Sequence, residues 1–188
     1  MPNNIRQQGA WTGTGDPETY SSPSLYADGL LGSRVTVKQT TAGVPSDEEG
    51  RAKTYQLVRS DSSMTVAPFK GAVAWWSNRA IYLVTTAAIN RNSVAGVFQN
   101  DEAVAPITAG HFCFVQVEGP GSTKFTNASA AGAAGTVGLQ VIASATAGKA
   151  QTEAAGTAPT YALLGLTTGA GDAPNALAVV ELNIPQQP

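Results

Sequence analysis

The sequence predicts an all-β protein: an antiparallel β-sandwich or barrel of jelly-roll-like form that carries an extended N-terminal arm. Nine or ten short segments rich in β-branched and aromatic residues follow one another along the chain. Turn residues separate them, and no apolar stripe with helical spacing is found. This pattern is typical of sandwiches and barrels. A length of 188 residues indicates one domain with, at most, an arm.

Residues 1–30 are predicted to form the arm, and residues 31–188 a single β domain. The arm is punctuated by turn residues at 13–17 and 21–24, and no period of 2 or 3.6 is sustained in it. It nevertheless carries large apolar side chains that a disordered tail would rarely hold. Either these side chains pack on their own domain or the arm lies along a neighbouring subunit. They include Trp11, Tyr20, Leu25 and Tyr26.

The domain is predicted to be a succession of short strands. Period-two alternation is clearest in the first of them, and the pair at 72–76 and 81–86 is predicted to form a hairpin. Turns are expected at 119–122 and 169–174, where Gly and Pro cluster, and an Ala-rich loop at 127–135. The predicted strands are 34–40, 52–59, 72–76, 81–86, 93–98, 110–117, 137–142, 161–167 and 176–184.

Composition excludes several classes of function. The net charge of −2 provides no electrostatic footprint for nucleic acid. No apolar run approaches the roughly 20 residues that span a bilayer, and the N-terminus does not resemble a secretory signal. One Cys and one His exclude an internal disulfide and a zinc site of three or four N/S ligands. No cofactor is expected.

Charged residues make up only 13% of the chain, against roughly 25% in an average soluble domain. A free monomer usually keeps charge on its surface for solubility. The composition therefore indicates a protein that covers much of its surface with copies of itself or with a partner.

Few residues could carry catalytic chemistry. His111 and Cys113 are two positions apart on one predicted strand and would share a face, so a nucleophile pair is formally possible. The apolar neighbours favour a buried, structural Cys instead. The carboxylates Asp47, Glu48 and Glu49 could bind Ca²⁺, but their spacing favours a solvated loop. The protein is therefore predicted not to be an enzyme.

Other short motifs are also better explained by structure. The glycine pairs at 13–15 and 169–171 lack the residues that follow a phosphate-binding loop and favour turns. The glycosylation pattern Asn127-Ala128-Ser129 carries little weight without a signal peptide.

The adjacent pair Trp75 and Trp76 is the feature that best predicts a binding surface. Neighbouring strand residues point to opposite faces, so one indole should enter the core while the other faces outward. An outward Trp could anchor a subunit or partner interface, or stack on a sugar. The alternative is that a second sheet or a second subunit covers it.

Val94–Phe98 followed by the run 107–119 is similar to an "AGV…aGxxxxVQVxG" pattern, and 138–148, 162–165 and 179–182 are similar to the last strands of the proteins that carry it. In these stretches the sequence resembles small head proteins of tailed bacteriophages. The likeness covers about residues 70–184. Cys113 departs from it, since an aromatic residue is usual there, and the pattern does not include an arm.

The resemblance implies a capsid decoration, or cement, protein: β-rich, often trimeric, and bound to the outside of the shell at three-fold or quasi-three-fold positions. Its expected partners are the major capsid protein and copies of itself, and its expected location is the outer surface of the virion. The candidate contact residues are Trp11, Tyr20, Leu25, Tyr26, Trp75 and Trp76. The alternative is a head-fibre or tail-tip module that recognises host-surface glycans.

Overall fold

The computed structural model describes residues 6–8, 17–23, 31–38, 51–62, 64, 66–88, 93–100, 107–126, 137–154, 156, 158–172 and 177–185. The fold class predicted from the sequence is confirmed: the protein is nearly all β. Two single-turn 3-10 helices, Pro17–Thr19 and Arg79–Ile81, accompany the strands in these ranges. None of the helical segments described here is long and apolar enough to cross a membrane. The strands are β1 (Arg6–Gln8), β2 (Ser21–Ser22), β3 (Arg34–Lys38), β4 (Ala52–Ser60), β5 (Val73–Asn78), β6 (Leu83–Thr85), β7 (Val94–Val97), β8 (Phe112–Lys124), β9 (Gln140–Ala143), β10 (Ala150–Glu153), β11 (Leu163–Asp172) and β12 (Leu177–Asn183).

Five strands close into a barrel in the order β4, β6, β5, β7, β8, and β8 returns to pair with β4. The predicted antiparallel arrangement holds for every pair in this ring except β4 with β6, which is parallel and short: it joins Arg59 to Leu83 and Ser60 to Val84. The barrel is therefore mixed. Closure removes free sheet edges from these strands.

Small and branched apolar side chains fill the barrel. Every barrel strand contributes to this inner cluster, because alternate residues of each strand point inwards. Trp76 and Phe98 are its largest members, and the small residues Ala74 and Ala95 leave room for them. The cluster consists of Val58, Ala72, Ala74, Trp76, Val84, Ala95, Phe98, Ile107, Cys113, Val115 and Val117.

An outer sheet continues from the far half of β8 in the order β8, β12, β11, β9, β10. Its inner face packs on the outside of β5 and β7 and forms a second core around Trp75, Phe125 and Leu164. The loop after β9 fastens this sheet to the barrel, since the Val73 amide donates to the Gly148 carbonyl over 3.0 Å. Strands β5 and β7 are thus covered on both faces.

A third, smaller cluster covers the outer face of β4 and the first half of β8. It contains Val35, Val37, Tyr55, Leu57 and Phe114, with Tyr20 packed against it. Strand β3 supplies the two valines and pairs with β4, and β1 pairs with the outer edge of β3. Two described pieces of the arm, β1 and β2, therefore pair with strands of the same chain.

The hairpin at 72–86 is confirmed, and its second strand begins later than expected. Strand β5 pairs antiparallel with β6. The 3-10 turn Arg79–Ile81 connects them, with the Asn78 side chain capping it by accepting from the Ala80 amide. Strand β6 therefore starts at Leu83 and not at residue 81.

Two expected turns are strands instead. Strand β8 runs through 119–122 to Lys124, because β12 pairs with it along the whole of this stretch. Strand β11 likewise includes Gly169–Asp172, after a shift of register against β12 between Thr167 and Gly171. In both places pairing with β12 outweighs the local turn preference of Gly and Pro. Strand β10 was not predicted, and the Ala-rich stretch 127–135 lies outside the described residues.

Candidate functional site

The expectation that one of Trp75 and Trp76 faces outward is wrong. Trp75 is fully buried and Trp76 is 7% exposed. The two side chains do point to opposite faces of β5, but the barrel interior covers one face and the outer sheet covers the other. An unbroken apolar run is typical of a strand buried on both faces, and 72–76 is such a run. The sequence thus carried a signal for double burial.

Trp76 lies at the end of the barrel, where its indole is enclosed by two side chains of the following turn. The Arg79 guanidinium sits over the ring at 5.9 Å from the ring centroid. The Tyr82 ring meets the indole edge to face, at 6.0 Å between centroids and an interplanar angle of 69°. Both contacts suit the charge distribution of an aromatic ring. They fix the guanidinium close to the surface at the end of the barrel.

Tyr82 adopts a left-handed backbone conformation with φ of 52°. A residue with a Cβ pays for this conformation in strain. The Tyr82 ring also occupies the space where Gly32 would carry a side chain, since a Cβ there would approach the ring to 2.1 Å. The turn that precedes Tyr82 presents Ile81 to solvent at 54% exposure. This corner of the molecule therefore combines a strained residue, a fixed cation and an exposed apolar side chain.

A cleft of about 180 Å³ opens beside Trp76, at the seam between the end of the barrel and the outer sheet. Most of the residues that line it have apolar side chains, with one cation and one hydroxyl, but polar atoms make up more of the surface that faces the cleft than apolar atoms do. The barrel contributes the residues from β5 to β7, and the outer sheet contributes those from the start of β11 and the end of β12. The lining residues are Trp76, Arg79, Ser93, Val94, Ala162, Leu163, Ile184 and Pro185.

Of the four arm residues proposed as contacts, the structure describes Tyr20. It packs on the outer face of the barrel, with its ring edge to face against Phe114 at 5.7 Å between centroids. Trp11, Leu25 and Tyr26 lie outside the described residues. Tyr20 and the tryptophans are not brought together: Tyr20 belongs to the third cluster and Trp76 to the barrel interior.

Residues 17–23, named here the anchor segment, are held to the barrel by polar contacts that the sequence analysis missed. The Glu18 carboxylate accepts from the Tyr55 hydroxyl, and one of its oxygens lies 3.4 Å from the Lys53 ammonium. Lys53 and Tyr55 are two apart on β4 and so share its outer face. The Lys53 side chain is only 6% exposed. A lysine on the same strand face as Tyr55 and Leu57 was the available signal for such a buried ion pair.

A second polar contact of the anchor segment involves His111 and gives this side chain a structural role. The Ser21 hydroxyl lies 3.1 Å from Nδ1 of His111, while β2 pairs with β8 at Phe112 and Cys113. Cys113 itself points into the barrel and is fully buried. Burial raises the pKa of its thiol to about 12, with a smaller opposing effect from a backbone hydrogen bond at Ser60. The buried, structural role predicted for Cys113 is consistent with this placement.

No three His, Cys, Asp or Glu side chains within the described ranges lie close enough together to hold a metal ion. The acidic run Asp47–Glu49, the glycines at 13 and 15, and Asn127 all fall outside those ranges. Comparison of the chain with family models, with characterised proteins and with solved structures gives no match.

Proposed function

We propose that this chain is a structural protein of a tailed-bacteriophage head. It is a decoration, or cement, protein that binds the outer surface of the major capsid protein as a homotrimer at three-fold or quasi-three-fold positions. This role needs a rigid scaffold and contacts that repeat with the symmetry of the shell. It needs no catalytic group or cofactor.

The observation that carries the proposal is the anchor segment. An arm that bridges neighbouring subunits must be fastened to its own scaffold, or it cannot transmit load across the seam. The contacts of Glu18 and Tyr20 with β4 and β8 supply such a fastening about 20 residues into the chain.

The scaffold itself supports the same role. A closed barrel backed by an outer sheet is rigid, because residues 73–76 of β5 and the whole of β7 are buried. Each shell contact can be weak, since many symmetric copies bind together and the binding free energy adds to the stability of the shell.

The trimer requires a surface at which copies meet. Two large apolar side chains of the outer sheet and its turns are exposed, Val137 at 73% and Leu166 at 46%. The Gly138 amide donates to the Thr167 carbonyl over 2.9 Å, so these two side chains flank one backbone contact. We assign this patch, Val137 and Leu166, to the contact between copies; a cyclic trimer would bury it in a heterologous interface.

The proposal is tested with a deletion of residues 1–16, which leaves the Glu18 and Tyr20 contacts in place. The truncated protein should bind heads that lack the native protein more weakly than the full chain. Its thermal unfolding midpoint should stay within a few degrees of the full chain's. Heads carrying the full chain should release DNA at a higher temperature than bare heads. Equal binding by both chains would contradict the role of the arm, and no binding by either would contradict the proposed function.

The alternative, a fibre or tail-tip module for host glycans, requires an exposed aromatic platform. Trp75 and Trp76 do not provide one, since both are buried. A cleft that binds a sugar acid more tightly than an acylated amino acid would favour this alternative.

A further inference from the structure

We propose that the cleft beside Trp76 is a binding site for a short segment of a partner protein in which a carboxylate lies next to an apolar side chain. The identity of the partner rests on the proposed function. The chemistry of the segment rests on the cleft alone. The test therefore uses small probes and the isolated full chain, so that the site can be shown to exist whether or not the protein binds heads.

The surface of the cleft is mixed, so it suits an apolar group that lies next to a polar one. Val94, Ala162, Leu163, Ile184 and Pro185 contribute aliphatic atoms from both the barrel and the outer sheet, while polar atoms make up the larger share of the lining. The aliphatic part favours an aliphatic side chain, which is removed from water when it binds. A cleft of about 180 Å³ has room for one such side chain and a neighbouring polar group.

Arg79 supplies the preference for a carboxylate. Among the described residues, no Asp or Glu lies within ion-pair distance of its guanidinium. The stacking on Trp76 holds the guanidinium at the cleft without using up its hydrogen-bond donors. A carboxylate can then accept two parallel N–H bonds from a group that is already positioned, which lowers the entropy cost of binding.

The same geometry disfavours a sugar. Stacking on a sugar would need an open face of the indole, but Trp76 is 7% exposed, and Arg79 and Tyr82 already contact its ring. Ser93 is the one hydroxyl side chain among the residues that line the cleft. The exposed Ile81 next to Arg79 offers a further apolar contact for a chain that leaves the cleft.

The test uses a matched pair of probes on the ¹⁵N-labelled full chain. N-acetyl-leucine carries the apolar group and the carboxylate, and N-acetyl-leucinamide replaces the charge with a neutral amide. N-acetyl-leucine should shift the Trp76 indole N–H and the Arg79 side-chain N–H signals in a saturable manner. Loss of a charge-assisted hydrogen bond should weaken binding of the amide by about tenfold.

Two variants make the test specific. Arg79→Gln should lose the same tenfold. Arg59→Gln is the control, because Arg59 also stacks on an aromatic ring, at 5.6 Å from the Phe112 centroid, but does not line the cleft. It should bind N-acetyl-leucine like the native chain. Equal binding of both probes would overturn the role of the carboxylate, and absence of saturable shifts would overturn the site. Tighter binding of glucuronate than of N-acetyl-leucine would overturn the assignment to a protein segment.

Discussion

Among single residues, Cys113 shows how burial in the barrel suppresses the reactivity of a thiol. The thiol lies inside the barrel among Val58, Val84 and Val115, and burial raises its pKa to about 12. The reactive thiolate is therefore strongly disfavoured in the native protein at neutral pH. His111, two residues away, contacts Ser21 and so belongs to the anchoring of the arm.

Cys113 should react with a thiol reagent only when the protein unfolds. We expect iodoacetamide to label the urea-denatured protein within minutes at pH 8 and the native protein at the rate of its opening. Mass spectrometry of quenched samples measures both rates. Rapid labelling of the native protein would place the thiol at the surface and contradict its position in the barrel.

The same pKa predicts a dependence of stability on pH. The thiol titrates near 9.0 when unfolded and near 12 when folded, so between these values the unfolded state binds fewer protons. The free energy of unfolding should therefore fall as pH rises above about 9, by roughly 1 kcal/mol per pH unit from this group. Below pH 9 the contribution is fully present. Urea unfolding at pH 8 and pH 10 should show a smaller loss for Cys113→Ala than for the native chain, and equal losses would refute the shift.

Glu18 is expected to contribute more to the free energy of unfolding than a carboxylate at the surface does. Glu18→Gln removes the negative charge beside the 6% exposed Lys53 side chain, and we expect a loss of about 1 to 3 kcal/mol in the free energy of unfolding. The matched control is Glu181→Gln, which breaks the Arg51–Glu181 pair, whose side chains are 41% and 38% exposed. That change should cost less than about 1 kcal/mol. Urea unfolding measures both, and similar losses would show that the anchor is not a buried contact.

At the scale of elements, β8 joins the two parts of the fold. Its first half pairs with β4 in the barrel, and its second half pairs with β12 in the outer sheet. Gly119, at φ of 87°, lies where one pairing gives way to the other. A side chain there would approach the Ala52 carbonyl oxygen to 2.2 Å. Glycine is thus required both by the backbone conformation and by the close approach of β4.

Alanine substitutions at Gly119 and Gly138 separate the effect of backbone strain from the effect of the close approach of β4. Gly119→Ala should lower the free energy of unfolding by about 3 kcal/mol or more, from backbone strain and from the clash with β4. Gly138→Ala is the control, because Gly138 has a similar φ of 83° and no heavy atom within 4 Å of the added Cβ. It should cost about 1 kcal/mol, from strain alone. Equal losses would indicate that β8 and β4 are not in close contact at Gly119.

A strand could be predicted from the sequence where its local pattern and its pairing agree, and it was missed where local turn residues oppose pairing with a distant strand. The central strands were predicted from period and composition, because their apolar residues alone determine their burial. The ends of β8 and β11 were missed, because Gly119, Pro120 and Gly171 favour turns locally and only pairing with β12 holds them extended. Such pairing joins residues about 60 positions apart in the case of β8, and no local pattern reports it.

In the whole molecule, the three apolar clusters bring together residues that are far apart in the chain. This limits how much of the cleft beside Trp76 could be predicted from the sequence. The sequence identified Trp76, which does line the cleft, but for a reason that the structure corrects: the indole is buried and positions Arg79. Arg79 and the walls from β11 and β12 could not be foreseen, because the cleft exists only where the outer sheet meets the barrel. Glu18 was missed for the same reason, since its partners lie on β4.

The patch formed by Val137 and Leu166 carries the prediction for assembly. We expect the double variant Val137→Asp, Leu166→Asp to be monomeric at concentrations where the native chain is trimeric, because three copies would each bury two carboxylates. Ala158→Asp is the control, since Ala158 is exposed and lies outside the patch. Sedimentation velocity measures the three proteins. A native chain that is monomeric, or a double variant that still forms trimers, would contradict the assignment.

Counting the copies that bind to a phage head shows whether the protein decorates it. Purified protein is mixed with heads stripped of it, sedimented, and the bound amount measured as a function of the free concentration. We expect saturation at three copies for each three-fold or quasi-three-fold position of the shell. Absence of binding to mature heads, or binding without saturation at a number set by the lattice, would contradict it.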